Sequence, residues 1–187
     1  MSKITISRTI RPYIVFHSIC TYAYQDANST IKGRFLNCLT SMVFCAFTLE
    51  GYLNHLGEIL FPKEWKLFNA GAKRKDTKEK LNVICEKFHY SLNKNVKPFC
   101  YSHTIFGFRD EIVHPKTFNK EVVKYYSLKP DQKPKLPKPE CEKMANLDNC
   151  KIFLEKTEEM ISIIHEKSGQ QGYAFTSPYF ESIFIDG

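Results

Sequence analysis

An apolar stripe in residues 30–60 limits what this chain can fold into more than any other feature. Phe35, Leu39, Met42, Ala46, Leu49, Leu53, Leu56 and Leu60 recur at spacings of three and four, the period at which side chains share one face of an α-helix. Leu36, Val43 and Phe47 widen the stripe into a second shoulder. The spacing predicts one long, central helix buried on much of its circumference, ended by Pro62, which cannot continue it. Such a helix must be covered by several others. With 8 glycines and few alternating stretches, the chain reads as all-α, a bundle of four or five helices.

The covering helices carry weaker signals of the same kind. An N-terminal segment, residues 1–29, has Tyr13, Phe16, Cys20 and Tyr24 along one face over 11–27, with Pro12 tolerated at the start. Asp76-Thr77-Lys78-Glu79 reads as a capping box, with Asp76 at N-cap and Glu79 at N3, opening a helix whose core face is Leu81, Ile84, Cys85 and Phe88. Another helix runs from about Ser102, carrying Ile105, Phe108 and Ile112 on one face and Phe106, Arg109 and Val113 on the next, and stops at Pro115. Residues 117–139 alternate Pro130, Pro134, Pro137 and Pro139 with lysines and read as an exposed, semi-extended loop. A long helix returns at 140–168 with Gly169 behind it. The main helical domain is thus 30–168. The aromatic tail, 169–187, is expected to lie along an apolar groove.

Composition fits this picture. Hydrophobic residues make up 43% and charged residues 25% of 187, and a chain of this length buries roughly 70% of its unfolded surface without staples or cofactors. The seven cysteines (20, 38, 45, 85, 100, 141 and 150) are odd in number and form no C-x-x-C pair. That pattern suits free thiols packed as small hydrophobes in a reducing cytoplasm, and it offers no zinc site. The longest nearly apolar run, Met42 to Leu49, is too short to span a membrane, and no signal-peptide pattern is read at the N-terminus.

Lys and Arg number 27 against 20 Asp and Glu, a formal charge of +7, which favours polyanions, chiefly nucleic acid or an anionic membrane, and RNA over a basic protein partner. Generic solubilising charge is the alternative. The chemistry-bearing segment is Phe108-Arg109-Asp110-Glu111-Ile112-Val113-His114-Pro115-Lys116. On an unbroken helix Arg109 and His114 stand about 140° apart. The residue before a proline is pushed out of the helical region, so His114 is expected to leave the helix and turn toward Arg109. An always-charged guanidinium beside an imidazole suits metal-free phosphodiester cleavage: Arg109 holds the phosphate and stabilises the transition state, and His114 moves a proton. The competing reading is a helix-end histidine and an arginine ion-paired with Glu111 or Asp110. Glu50 and Asn54 lie one turn apart on the buried helix, where a carboxylate needs a partner; Glu50 either orients Arg109 or His114 or makes a local hydrogen bond. Lys73, Arg74, Lys75 and Lys116 are candidate contacts to an RNA backbone, or else a solvated charge run.

The R-x4-H spacing, with polar Asp110 after the arginine and at the end of a late bundle helix, resembles the signature of the HEPN superfamily. The helix Phe47-Thr48-Leu49-Glu50-Gly51-Tyr52-Leu53-Asn54-His55-Leu56-Gly57 is similar to the acidic-residue-bearing helix that precedes the motif in that superfamily, and the Lys78-Glu79-Lys80-Leu81 segment adds to the likeness. The resemblance spans about 30–168 and implies an all-α, usually dimeric protein. It implies a metal-independent endoribonuclease of toxin–antitoxin, phage-defence or RNA-processing type, without cofactor, with Arg109 and His114 as the catalytic pair, Asp110 beside them, and an antitoxin or regulatory protein as a further partner. Some relatives continue H-x-Tyr, with the tyrosine as a modification site; this chain has Lys116 there. Other members are inactive and serve as binding or dimerisation modules.

Overall fold

A computed structural model describes residues 3–89, 98–114, 117, 138–176 and 179–186. Its body is all-α. Helix α1 spans Pro12–Ser29, α2 Arg34–Leu60, α3 Glu64–Asn69, α4 Thr77–Lys87, α5 Tyr101–Val113, α6 Glu140–Met144 and α7 Leu147–Lys167. Helix α2 is the centre: α1 packs along it most extensively, followed by α7, α5, α4 and α3. Met42, Ala46, Leu49, Leu53 and Leu56 of the stripe are buried as expected, joined by Cys38, Cys45 and Tyr52. Phe35 and Leu36 are not, with Leu36 61% exposed. Both lie in the first turn of α2, beside the connection from α1. As a whole α2 is long and apolar enough, by length and composition, to cross a membrane; half of its most apolar window is buried inside this bundle.

Local rules hold at several ends. Pro12 opens α1. The capping box at α4 is present in both directions, Glu79 N–H donating to Asp76 Oδ1 and Asp76 N–H to Glu79 Oε2, each at 2.8 Å. The stretch 140–168, read as one helix, is two. Asn146 turns extended, and its side-chain oxygen accepts from Asn149 N–H at 3.0 Å, capping α7 afresh. Past the end of α7, Gly169 takes φ +69°, a left-handed stop without steric cost.

The chain ends add an element that helical spacing did not foresee. Strand β1 (Lys3–Ile10) pairs antiparallel with β2 (Tyr179–Asp186), Lys3 opposite Asp186 and Ile10 opposite Tyr179. Ahead of β2, the tail buries Ala174 and Phe175 against α1: Tyr13 Oη donates to the Ala174 carbonyl at 2.9 Å, and Phe175 stacks on His17 at 3.9 Å. All seven cysteines are free and five are buried; burial pushes the Cys85 and Cys150 thiols up to about 12. Apart from 117, 138 and 139, the Pro/Lys-rich loop lies outside the described residues.

Trp65 of α3 is fully buried and lies flat over α2 at Gly57, where an added Cβ would stand 2.1 Å from the indole. Gly57→Ala is therefore expected to cost about 1–3 kcal/mol through forced displacement of the indole. At Gly107 of α5 a Cβ would meet nothing within 4 Å. Gly107→Ala should gain about 0.5–1 kcal/mol by helix propensity alone. Thermal melts of the two variants check both signs; a neutral Gly57→Ala would mean that the α2–α3 contact is looser than described.

Candidate functional site

Four segments converge on one cavity of about 490 Å³. Helix α2 contributes Glu50 and Asn54, which share a face at i, i+4. Helix α5 contributes Phe106, Arg109, Asp110 and Val113, with His114 behind them. The end of α3 brings Asn69, the α3–α4 connection Arg74, Lys75 and Asp76, and the capped first turns of α4 Thr77, Lys78 and Lys80. Five basic side chains face three carboxylates, leaving two formal positive charges with His114 neutral. The cavity is a cationic hollow between α2, α4 and α5.

Arg109 is held, not free. Its Nη1 donates to Glu50 Oε2 at 2.6 Å, tying α5 to α2. Asp110 Oδ1 lies 2.8 Å from Nε as an ion pair, yet the contact is too bent for a hydrogen bond, so the buried Nε–H is unsatisfied. A buried donor without a well-aligned acceptor is costly, and the carboxylate beside it offsets part of that cost. The side chain is 17% exposed and that of Glu50 28%, less open than a surface cleft would make them. Both readings of Arg109 thus meet here: Glu50 orients it, and Asp110 pairs with it.

His114 leaves the helix at φ −116° and ψ 60°, while its backbone N–H still donates to the Asp110 carbonyl at 3.0 Å. Its exposed ring lines the cavity and makes no side-chain hydrogen bond among the described residues. Arg109 and His114 therefore open onto the same space. Asn54 is also there, but it serves Lys80, not the arginine. Arg74 and Lys75 line the cavity, the latter with Nζ 5.2 Å above the Phe68 ring. Lys73 ends a short 3-10 turn, Gly71–Lys73; it is exposed and does not line the cavity. Lys116 lies outside the described residues. Phe106, which shares a helix face with Arg109 and Val113 and could have met a second copy beside them, is 1% exposed and belongs to the core; Val113 alone of the two stays open. Among the described residues no three His, Cys, Asp or Glu side chains cluster as metal ligands would.

Lys80 was not foreseen from the sequence. It is 6% exposed, and its Nζ donates to Asn54 Oδ1 at 3.0 Å and Asn69 Oδ1 at 2.6 Å. Burial pushes its pKa down; Glu50 pulls it up and Arg74 lowers it again. The signal was present in the spacing Thr77, Lys80, Ile84, which sets a lysine on the core face of α4.

A second polar group joins Tyr52, His55 and His165 to the tail around a hollow of about 70 Å³. Tyr52 Oη meets His165 Nδ1 at 3.1 Å, and the His55 ring lies 5.4 Å from that of Tyr13. Burial lowers the His55 pKa, and the nearby Arg11 charge acts in the same direction.

No family model matches this sequence, and neither a curated protein nor a solved structure matches it.

Removing Arg109 strands the Glu50 carboxylate. Arg109→Ala should cost about 1–2 kcal/mol after discounting for partial exposure, and the Arg109→Ala/Glu50→Ala double variant should cost roughly 1 kcal/mol less than the sum of the singles. Strict additivity in denaturant unfolding would show that the pair contributes nothing. For His55, a folded pKa below the ordinary 6.5 means that the unfolded chain binds the proton more readily. Its contribution is then fully present above pH 6.5 and lost as pH falls below that value toward the folded pKa. The wild-type advantage over His55→Gln should stay flat above pH 6.5 and shrink below it; melts across that range read the difference.

Proposed function

We propose that this protein is a HEPN-like, metal-independent endoribonuclease whose cleavage site is the cavity at Arg109 and His114. The observation that carries this reading is the opening of an anchored arginine and an unencumbered histidine onto one cationic hollow. The R-x4-H spacing and the carboxylate on the preceding long helix support it. RNA is the substrate class that fits a positive cavity beside an imidazole.

In the proposed reaction the ribose 2′-oxygen attacks the adjacent phosphorus. The new O2′–P bond forms as the P–O5′ bond breaks, giving a 2′,3′-cyclic phosphate and a 5′-hydroxyl. His114 takes the 2′-hydroxyl proton, and the departing O5′ receives one from the imidazolium of a second histidine or from water. Arg109 stabilises the charge that develops on the phosphoryl oxygens, and Glu50 holds the guanidinium in place for it. A homodimer with its two-fold axis beside Val113 and His114 would supply the second histidine from the partner.

A non-catalytic binding protein is the second reading, and a specific feature favours it. Both sides of the Arg109 fork already meet carboxylates, and the His114 ring lacks the orienting partner that a general base usually has. Toxicity or RNA integrity on expression separates the two. His114→Ala should abolish cleavage with melting unchanged, because the ring is exposed. Arg109→Lys should reduce cleavage by roughly a hundredfold or more, since the ammonium lacks the planar fork. Cleavage should persist in EDTA. Full activity in His114→Ala would remove this site, and loss in EDTA would indicate a metal nuclease.

A further inference from the structure

Lys80 is the most buried cation in the cavity. Its two hydrogen-bond partners are neutral amide oxygens, and no carboxylate among the described residues lies within ion-pair distance of it. The three carboxylates that line the same space are committed elsewhere: Glu50 and Asp110 to Arg109, and Asp76 to the first turn of α4. Lys80 Nζ also has the face of the Trp65 ring 5.8 Å away; a buried ammonium without a direct counter-ion is costly, and an anion is what would complete it. Two amide oxygens occupy two of its three donors, which leaves one for a ligand. Arg74, Lys75 and Lys78 stand around the rim and add to the attraction of a negative group. Helix α4 holds Lys80 rigidly, because its first turn is locked by the capping box and its core face is packed through Leu81 and Ile84.

We propose that Lys80, steadied by Asn54 and Asn69, is a phosphate-binding subsite, distinct from the Arg109–His114 pair and sharing its cavity. The ligand class is the phosphate group of a nucleotide, free or within a strand. In the cleavage reading this subsite takes the phosphate next to the one that is cut; that assignment rests on the reading, whereas phosphate binding at Lys80 does not. Burial lowers the pKa of the ammonium, with Arg74 adding to the shift and Glu50 opposing it, and a bound anion would raise it again.

The test compares wild type, Lys80→Met and His114→Ala by thermal unfolding and calorimetric titration. The probes are inorganic phosphate, a nucleoside 5′-monophosphate and a 2′-deoxy oligonucleotide that the proposed chemistry cannot cut, each against chloride at equal ionic strength. Wild type and His114→Ala should bind the monophosphate alike, and Lys80→Met should bind it at least about tenfold more weakly. A deoxy oligonucleotide with the same Lys80 dependence assigns the subsite to a strand; Lys80 dependence seen only with the small probes assigns it to a free nucleotide. Absence of phosphate-dependent stabilisation in wild type overturns the proposal, whether or not the protein cuts RNA. So does wild-type affinity in Lys80→Met, or loss of binding in His114→Ala alone. Should Lys80→Met not fold, acetylation of Lys80 in wild type decides the matter: the monophosphate should slow it severalfold, and an unchanged rate overturns the proposal.

Discussion

Because α2 is apolar over most of its circumference, it has to be enclosed, and enclosing it determines where polar chemistry can sit. Helices α1 and α7 cover much of its length, and α5 and α4 close the remaining side. Glu50 and Asn54 are the breaks in the apolar surface on that side. Each would be a costly buried polar group without a partner. The partners come from the covering helices: Arg109 of α5 for Glu50 and Lys80 of α4 for Asn54. Two long basic side chains thus reach α2 from different helices, and both line the cavity.

Its electrostatics follow from how these groups are shared. One carboxylate, Glu50, serves two cations unequally: Arg109 directly at 2.6 Å and Lys80 only through space. The arginine is therefore positioned, and the lysine is left short of negative charge. The same unevenness is the basis of the proposed phosphate subsite at Lys80. His114 belongs to the site for a backbone reason, since the helix ends at Val113 and the next residue turns out.

Much of the helical scaffold was legible because its signals are local. Helical period, the proline at the head of α1 and the Asp76–Glu79 capping box each act within a turn or two, and each element they indicate is present. Asn146 is a local signal too, but the apolar spacing continued across it and concealed the break between α6 and α7. Pairing of β1 with β2 was not legible, because the two strands lie at opposite ends of the chain and no short-range pattern specifies which segment meets which.

The site divides along the same line. From sequence alone came the all-α class, the central helix, the arginine and histidine at the end of α5, and Glu50 and Asn54 one turn apart on a buried helix, all consequences of spacing along a single element. Tertiary packing alone decided that Glu50 reaches Arg109, that Asn54 goes to a lysine instead, that Phe106 faces its own core and that Lys73 stands outside the cavity. It also decided that Lys80 is buried. These are contacts between elements far apart in sequence, and their geometry depends on how helices cross, which helical period along one strand of sequence does not encode.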